Sequence, residues 1–136
     1  MKFSRQARLL RPAEFKQVFQ QPVRSGDRCF RVLARANEIH NHRLGMAVSK
    51  KVCSKAVGRN RIKRIVRENF RNKMLGQMPG QKQDSSLDFV VLPTAQAADE
   101  SNSSLDESLT AHWQQLIRKA EDRNSGYPQD RLRTQK

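Results

Sequence analysis

Only two cysteines, Cys29 and Cys53, occur in the 136 residues. They are too few and too isolated for a disulfide framework or a zinc site, both of which need clustered ligands, and both are read as reduced thiols. Long apolar runs are missing as well. None approaches the roughly 18 residues of a membrane span, and the opening MKFSRQARLLRPAEF lacks the continuous apolar centre of a secretory signal. A cytoplasmic chain with no membrane partner is therefore expected. Acid is scarce where base is plentiful: residues 1–75 carry 20 Lys and Arg against 4 Asp and Glu, a surplus of 16, while residues 76–136 carry 7 against 9. The whole chain has net charge +14 and only 36% hydrophobic residues. A surplus confined to one part of the chain is not a uniform solubility device. It points to a polyanionic partner. The length suits one domain with a modest core rather than two.

What is present has a readable order. Pro12 suits the first position of a short helix in which Phe15, Val18 and Phe19 fall at i, i+3 and i+4, and Pro22 ends it. Residues 29–36 alternate, with Phe30, Val32, Ala34 and Ala36 on one side and Cys29, Arg31, Leu33 and Arg35 on the other. Residues 43–49 alternate again, which predicts an antiparallel hairpin with a long loop. Ser54 is the expected N-cap of a helix running to about Leu75, with Gly76 as its stop. Ile62, Ile65, Val66 and Phe70 form one stripe on this helix, and Asn60, Arg64, Arg67 and Arg71 lie nearly opposite. The helix thus has one face to pack and one to present. Residues 76–86 read as a loop, LDFVVLP (87–93) as a buried strand, and Ser104 with Glu107 as a capping box opening a last helix that ends near Asp122. From Arg123 the composition is that of a flexible tail.

Residues 50–73 hold ten Lys and Arg, namely Lys50, Lys51, Lys55, Arg59, Arg61, Lys63, Arg64, Arg67, Arg71 and Lys73, and one acid, Glu68. Like charges at this density repel along a helix by a few tenths of a kcal/mol per i,i+4 pair, so an anionic partner would relieve them. The usual explanation of a charge run is a solvated face. Solvated faces mix signs, however, and this one scarcely does. The preponderance of Arg suits bidentate phosphate contact. Arg61 and Arg64 are both expected to point outward.

AVSKK at 47–51 followed by GRNRIKRIVRENFR at 58–71 closely resembles the bacterial ribonuclease P protein component. The RNR at 59–61 and IKR at 62–64 after an SKK turn are that family's signature. The similarity extends to ARLLRPAEFKQVFQ (7–20), LGMAVSKK (44–51), DFVVLP (88–93) and the terminal Trp-containing helix, covering roughly residues 5–122. The resemblance implies an α/β (α+β) sandwich, a mixed four-stranded sheet packed with about three helices, in a single RNA-binding domain over 1–122 with a tail over 123–136. It also implies a left-handed βαβ crossover, where general rules predict a right-handed one. The implied activity is that of an accessory subunit of an endoribonuclease removing the 5′ leader from precursor tRNA, with the catalytic groups in an RNA subunit. Mg²⁺ ions would be held mainly by that RNA, none tightly by the protein alone. The implied partners are the catalytic RNA, at one protein per RNA, and precursor tRNA. Lys50, Lys51, Arg59, Asn60, Arg61, Lys63, Arg64, Arg67 and Arg71 would meet the RNA subunit. Phe15, Phe19, Arg31, Leu33 and Arg35 would line the cleft for the leader. Leu33 stands where the family often has an aromatic, and Arg31 and Arg35 supply charge on the same face.

Bland readings accompany several of these residues. The i,i+4 spacing of Phe15 and Phe19 serves core packing as well as base stacking. His40 and His42 are read as surface histidines in a polar loop, and His112 as a packing residue beside Trp113. Asp84 and Asp88 are the only carboxylates that suggest a nuclease metal site, and no further acid is spaced to join them. Composition alone would equally support a structural RNA-binding protein such as a ribosomal one. The RNR block together with an aromatic first helix argues for the processing subunit, since a purely structural protein has no use for a single-strand cleft.

Overall fold

Pro12, whose missing N–H and restricted φ suit a first helical turn, opens α1 (Pro12–Phe19). Glu14 folds back so that its Oε1 accepts the Arg11 N–H at 3.0 Å. Gln21, at φ 57°, turns the chain out just before Pro22. In the computed structural model, which describes residues 8–9, 11–37, 41–75 and 86–124, this helix is followed by β1 (Val23–Gly26), β2 (Phe30–Ala36) and β3 (Arg43–Met46). Then come α2 (Ala56–Phe70), a π-helical turn (Arg71–Leu75), β4 (Leu87–Pro93), a 3-10 turn (Ala95–Asp99) and α3 (Asn102–Asn124). The strands form one sheet in the order β1–β2–β4–β3. It is antiparallel except for β3 beside β4, which run parallel. Parallel neighbours need a crossover, and α2 lies in the one between them. This is the α+β fold with a mixed four-stranded sheet and three helices that the resemblance implied.

The hairpin predicted between residues 29–36 and 43–49 does not form, because β4 lies between β2 and β3. Leu33 pairs with Val90 on one side, and Gly45 is in register with Val90 on the other. Alternation along a strand specifies its faces and leaves its neighbours open. The nearly all-buried β4, apolar on both faces, takes an interior position instead. The hairpin that does form joins β1 to β2. Asp27 N–H donates to Phe30 O at 3.0 Å, and Asp27 Oδ1 accepts the N–H groups of Cys29 and Phe30 at 2.9 Å each. Such an Asx turn needs no glycine in the loop itself. Cys29 therefore sits in the turn, one residue before the strand. β1 gave little sequence signal, since Val-Arg-Ser-Gly is short and half of it has low strand preference.

One face of the sheet carries the main core. Phe30, Val32, Leu44, Phe89 and Val91 pack against Ile62, Val66 and Phe70 of α2 and Leu105, Leu109 and Trp113 of α3. Phe70, Phe89 and Trp113 meet edge to face with centroids 5.2–5.7 Å apart, a favoured aromatic geometry. Trp113 Nε1–H finds a buried acceptor in Asn69 Oδ1 at 2.6 Å, and Asn69 Nδ2 donates to Asp106 Oδ1 at 3.0 Å. The opposite face has a smaller cluster, Leu9, Val18 and Val90 with Phe15, Leu33 and Leu92 packed around them. Only α1 lies over it among the described helices.

Helix ends depart from the sequence reading. α2 has Lys55 rather than Ser54 at its N-cap, with no side-chain cap, and the Gly76 stop lies outside the described residues. α3 starts earlier than expected. Ser101 Oγ accepts the Ser104 N–H at 3.1 Å, so Ser101 takes the capping role given to Ser104, and the helix runs past Asp122 to Asn124.

Candidate nucleic-acid interface

The buried stripe of α2, Ile62, Val66, Asn69 and Phe70, fixes which side of the helix faces water. Asn60, Arg64 and Arg67 are exposed on that side, Arg71 is half-buried, and Lys50, Lys51 and Lys55 are exposed in the approach to the helix. Val57 stands among them at 81% exposure. The spacing argument placed Asn60, Arg64 and Arg67 on the solvent side, where they are found, while two other arginines of the expected RNA-binding set have duties inside the protein. Arg59 Nη1 donates to the carbonyls of Cys53 and Ser54 at 2.9 Å each, bracing the turn ahead of the helix. Arg61 does not point outward as expected. It is half-buried, with Nη2 donating to Glu100 O at 2.5 Å and Nε to Asn102 Oδ1 at 3.0 Å, tying α2 to the start of α3. Lys63 is also half-buried.

The sheet face beside α1 brings the other predicted set together. Arg31, Leu33 and Arg35 alternate on it from β2, with Arg31 exposed and the other two half-buried. Arg24, directly opposite Leu33 in register, adds an exposed cation that the sequence reading did not pick out, because its strand went unplaced. Phe15 and Phe19 part company. Phe15 is half-buried with its ring over Gly45, where a Cβ would come within 2.6 Å of two ring atoms. Phe19, the last helical residue, is 48% exposed. Arg35 is partly engaged, its Nη1 donating to Gln17 O at 3.0 Å and Gln20 O at 2.8 Å.

The remaining candidates resolve into structural roles. His42 is buried, contrary to its reading as a surface residue. Its Nδ1 accepts the Leu87 N–H at 3.0 Å and its ring meets Phe89 edge-on. Burial holds its pKa below the usual imidazole value despite the nearby Asp88 carboxylate. His112 packs edge-on to Phe30, with Nδ1 2.6 Å from Ser25 Oγ and Nε2 3.2 Å from Asp27 Oδ2. Asp88 is taken by a bidentate ion pair with Arg43, 2.8 and 2.7 Å. His40 and Asp84 lie outside the described residues. Cys29 and Cys53 are free, and burial pushes the Cys29 thiol up. Among the described residues no helix is long and apolar enough to cross a membrane.

Known proteins share this fold. The Ribonuclease P family model matches residues 3–117. The chain is 45% identical to the ribonuclease P protein component of Aliivibrio fischeri over 116 residues, 85% of this chain and 93% of that one. It is 44% identical to that of Vibrio cholerae serotype O1, over 85% and 92%. Among solved structures it superimposes on the RNase P protein of Staphylococcus aureus with TM-score 0.67 at 30% identity, over 79% of this chain and 93% of that one. With the Thermotoga maritima RNase P protein the TM-score is 0.62 at 28% identity, over 82% and 96%.

Proposed function

The chain belongs to the ribonuclease P protein family, and from that premise we propose that it grips a catalytic RNA with α2 and the single-stranded 5′ leader of precursor tRNA with the sheet face beside α1. Membership carries a role in an endoribonuclease complex. Within that complex the cutting is assigned to the RNA, and the protein acts by binding. The observation that carries this reading is the division of α2 into a stripe buried in the core and an opposite face of exposed Asn60, Arg64 and Arg67 continued by Lys50 and Lys51. Guanidinium forks contact phosphate oxygens two at a time, and each neutralised phosphate releases counterions. The first turn of α2 has no acid and no side-chain cap, so its amides and positive dipole end also suit phosphate.

On the sheet face, Phe19 and Leu33 offer apolar contact to unpaired bases while Arg24 and Arg31 meet the strand's phosphates. Aromatic stacking contributes about 1–3 kcal/mol per base. The exposed face of α2 has Glu68 as its one carboxylate among arginines, and among the described residues no cluster of three metal-ligating side chains joins it, which does not fit Mg²⁺, a hard ion that takes several oxygen ligands. The ion is therefore assigned to RNA phosphates, and this chain's contribution is to lessen phosphate repulsion so that less free Mg²⁺ is needed. One protein per RNA, acting in the cytoplasm, completes the proposal. The test is cleavage of a precursor tRNA by the cognate RNA subunit across a Mg²⁺ titration. With protein present, half-maximal cleavage is expected at lower Mg²⁺, and the protein alone is expected to leave the substrate intact. Cleavage by rigorously RNA-free protein, or an unmoved Mg²⁺ midpoint, would defeat the reading.

A further inference from the structure

An eight-residue helix is unstable by itself in water, so α1 takes its position from what holds it. Apolar anchoring comes from Phe15 and Val18. Two arginines rising from the sheet do the rest. Arg43 Nε and Nη2 pair with Asp88 Oδ1 and Oδ2 at 2.8 and 2.7 Å, which fixes the plane of the guanidinium. Asn37 Nδ2 steadies the same carboxylate at 2.7 Å. Arg43 Nη1 then reaches Glu14 Oε2 at 3.1 Å, while Glu14 Oε1 accepts the Arg11 N–H at the helix start. The Arg43 and Asp88 side chains keep only 13% and 8% of their exposure, so water competes little for these bonds. At the other end, Arg35 Nη1 takes the carbonyls of Gln17 and Gln20, a cation at the negative end of the helix. Between the two clasps is an open pocket lined by Gln17, Val18, Arg35, Asn37, Arg43 and Asp88.

Shielded ion pairs are often no more stabilising than apolar side chains of similar volume, so stability alone does not account for this network. What it supplies is a single orientation. Phe15 and Val18 seat α1 directly on the sheet, and polar fixings at both ends keep the helix from rocking about that seat. We propose that Arg43, acting through Glu14, is a positioning residue that fixes the tilt of α1 on the sheet and so the width of the groove offered to a single strand. This rests on the reading of that face as the leader site and names the side chains that give the site its dimension. Neither Arg43 nor Glu14 needs to touch the leader.

The experiment uses the full chain assembled with its RNA subunit. Affinity is measured for precursor tRNAs bearing a long leader and a one-nucleotide leader, and amide hydrogen exchange is followed in the protein. Glu14→Ala is expected to speed exchange in α1 while leaving α2 and α3 unchanged. It should also reduce the long-leader advantage by about tenfold, the scale of one charge-assisted hydrogen bond, with the one-nucleotide substrate and RNA-subunit affinity unaltered. Glu14→Gln has a single acceptor oxygen and cannot serve both Arg43 Nη1 and the Arg11 N–H, so it should recover only part of the advantage. Unchanged α1 exchange, or equal weakening for both substrates, overturns the inference alone. A wild-type protein indifferent to leader length, with α1 still loosened by Glu14→Ala, overturns the leader reading of the face and the inference with it.

Discussion

Asp27 shows how much one side chain holds. Its carboxylate closes the β1–β2 turn on the amides of Cys29 and Phe30 and reaches Ser108 Oγ at 2.6 Å on α3. Burial by itself would raise its pKa. Hydrogen bonds from Ser108, Phe30, Cys29 and His112 outweigh that effect and lower it from 3.8 to about 2. A depressed carboxylate pKa stabilises the fold fully above the unfolded value of about 4 and ceases to do so as pH falls through about 2. The stability advantage of wild type over Asp27→Asn in urea unfolding should therefore be largest at neutral pH and shrink between about pH 4 and pH 2. Gly45 illustrates the opposite case, a residue needed for what it lacks. A methyl there would meet the Phe15 ring at 2.6 Å and Leu9 at 3.0 Å, closer than packed atoms allow. Gly45→Ala should lift α1 and cost about 1–3 kcal/mol in thermal unfolding. An unchanged melting temperature would contradict the close approach of ring and sheet.

At the scale of elements, α2 serves two purposes on opposite sides, and substitutions separate them. Arg64→Glu combined with Arg67→Glu changes two exposed residues. RNA-subunit affinity should fall by at least about tenfold, roughly one charged contact's worth, with the melting temperature unmoved. Arg61→Ala should behave differently. Removing its bonds to Glu100 O and Asn102 Oδ1 frees the start of α3 and should lower unfolding stability by about 1–2 kcal/mol. Equal stability losses from both variants would mean that the assignment of faces is wrong. Helical periodicity put Arg64 on the open face and left Arg61 off it, without saying what Arg61 would meet. The partner that draws Arg61 inward lies 39 residues away in the chain, and local spacing carries no record of it.

For the whole molecule, the decisive quantity is the positive surplus in residues 1–75. If six to ten phosphates are neutralised, affinity for the RNA should fall about 10³ to 10⁵-fold between 50 and 200 mM salt, and a flat salt response would exclude phosphate contact as the main force. That surplus, the buried stripe of α2, the Trp113 helix and the SKK-RNR-IKR signature were all legible in the residues, because charge, helical period and short motifs are properties of neighbours along the chain. Tertiary structure alone decided the rest. It placed β4 between β2 and β3 where a hairpin was expected, buried His42, engaged Asp88 with Arg43, and separated Phe15 from Phe19. Each of these depends on which distant segments come to lie side by side, and hydrogen bonding and burial between segments far apart in sequence leave no periodic mark on either one.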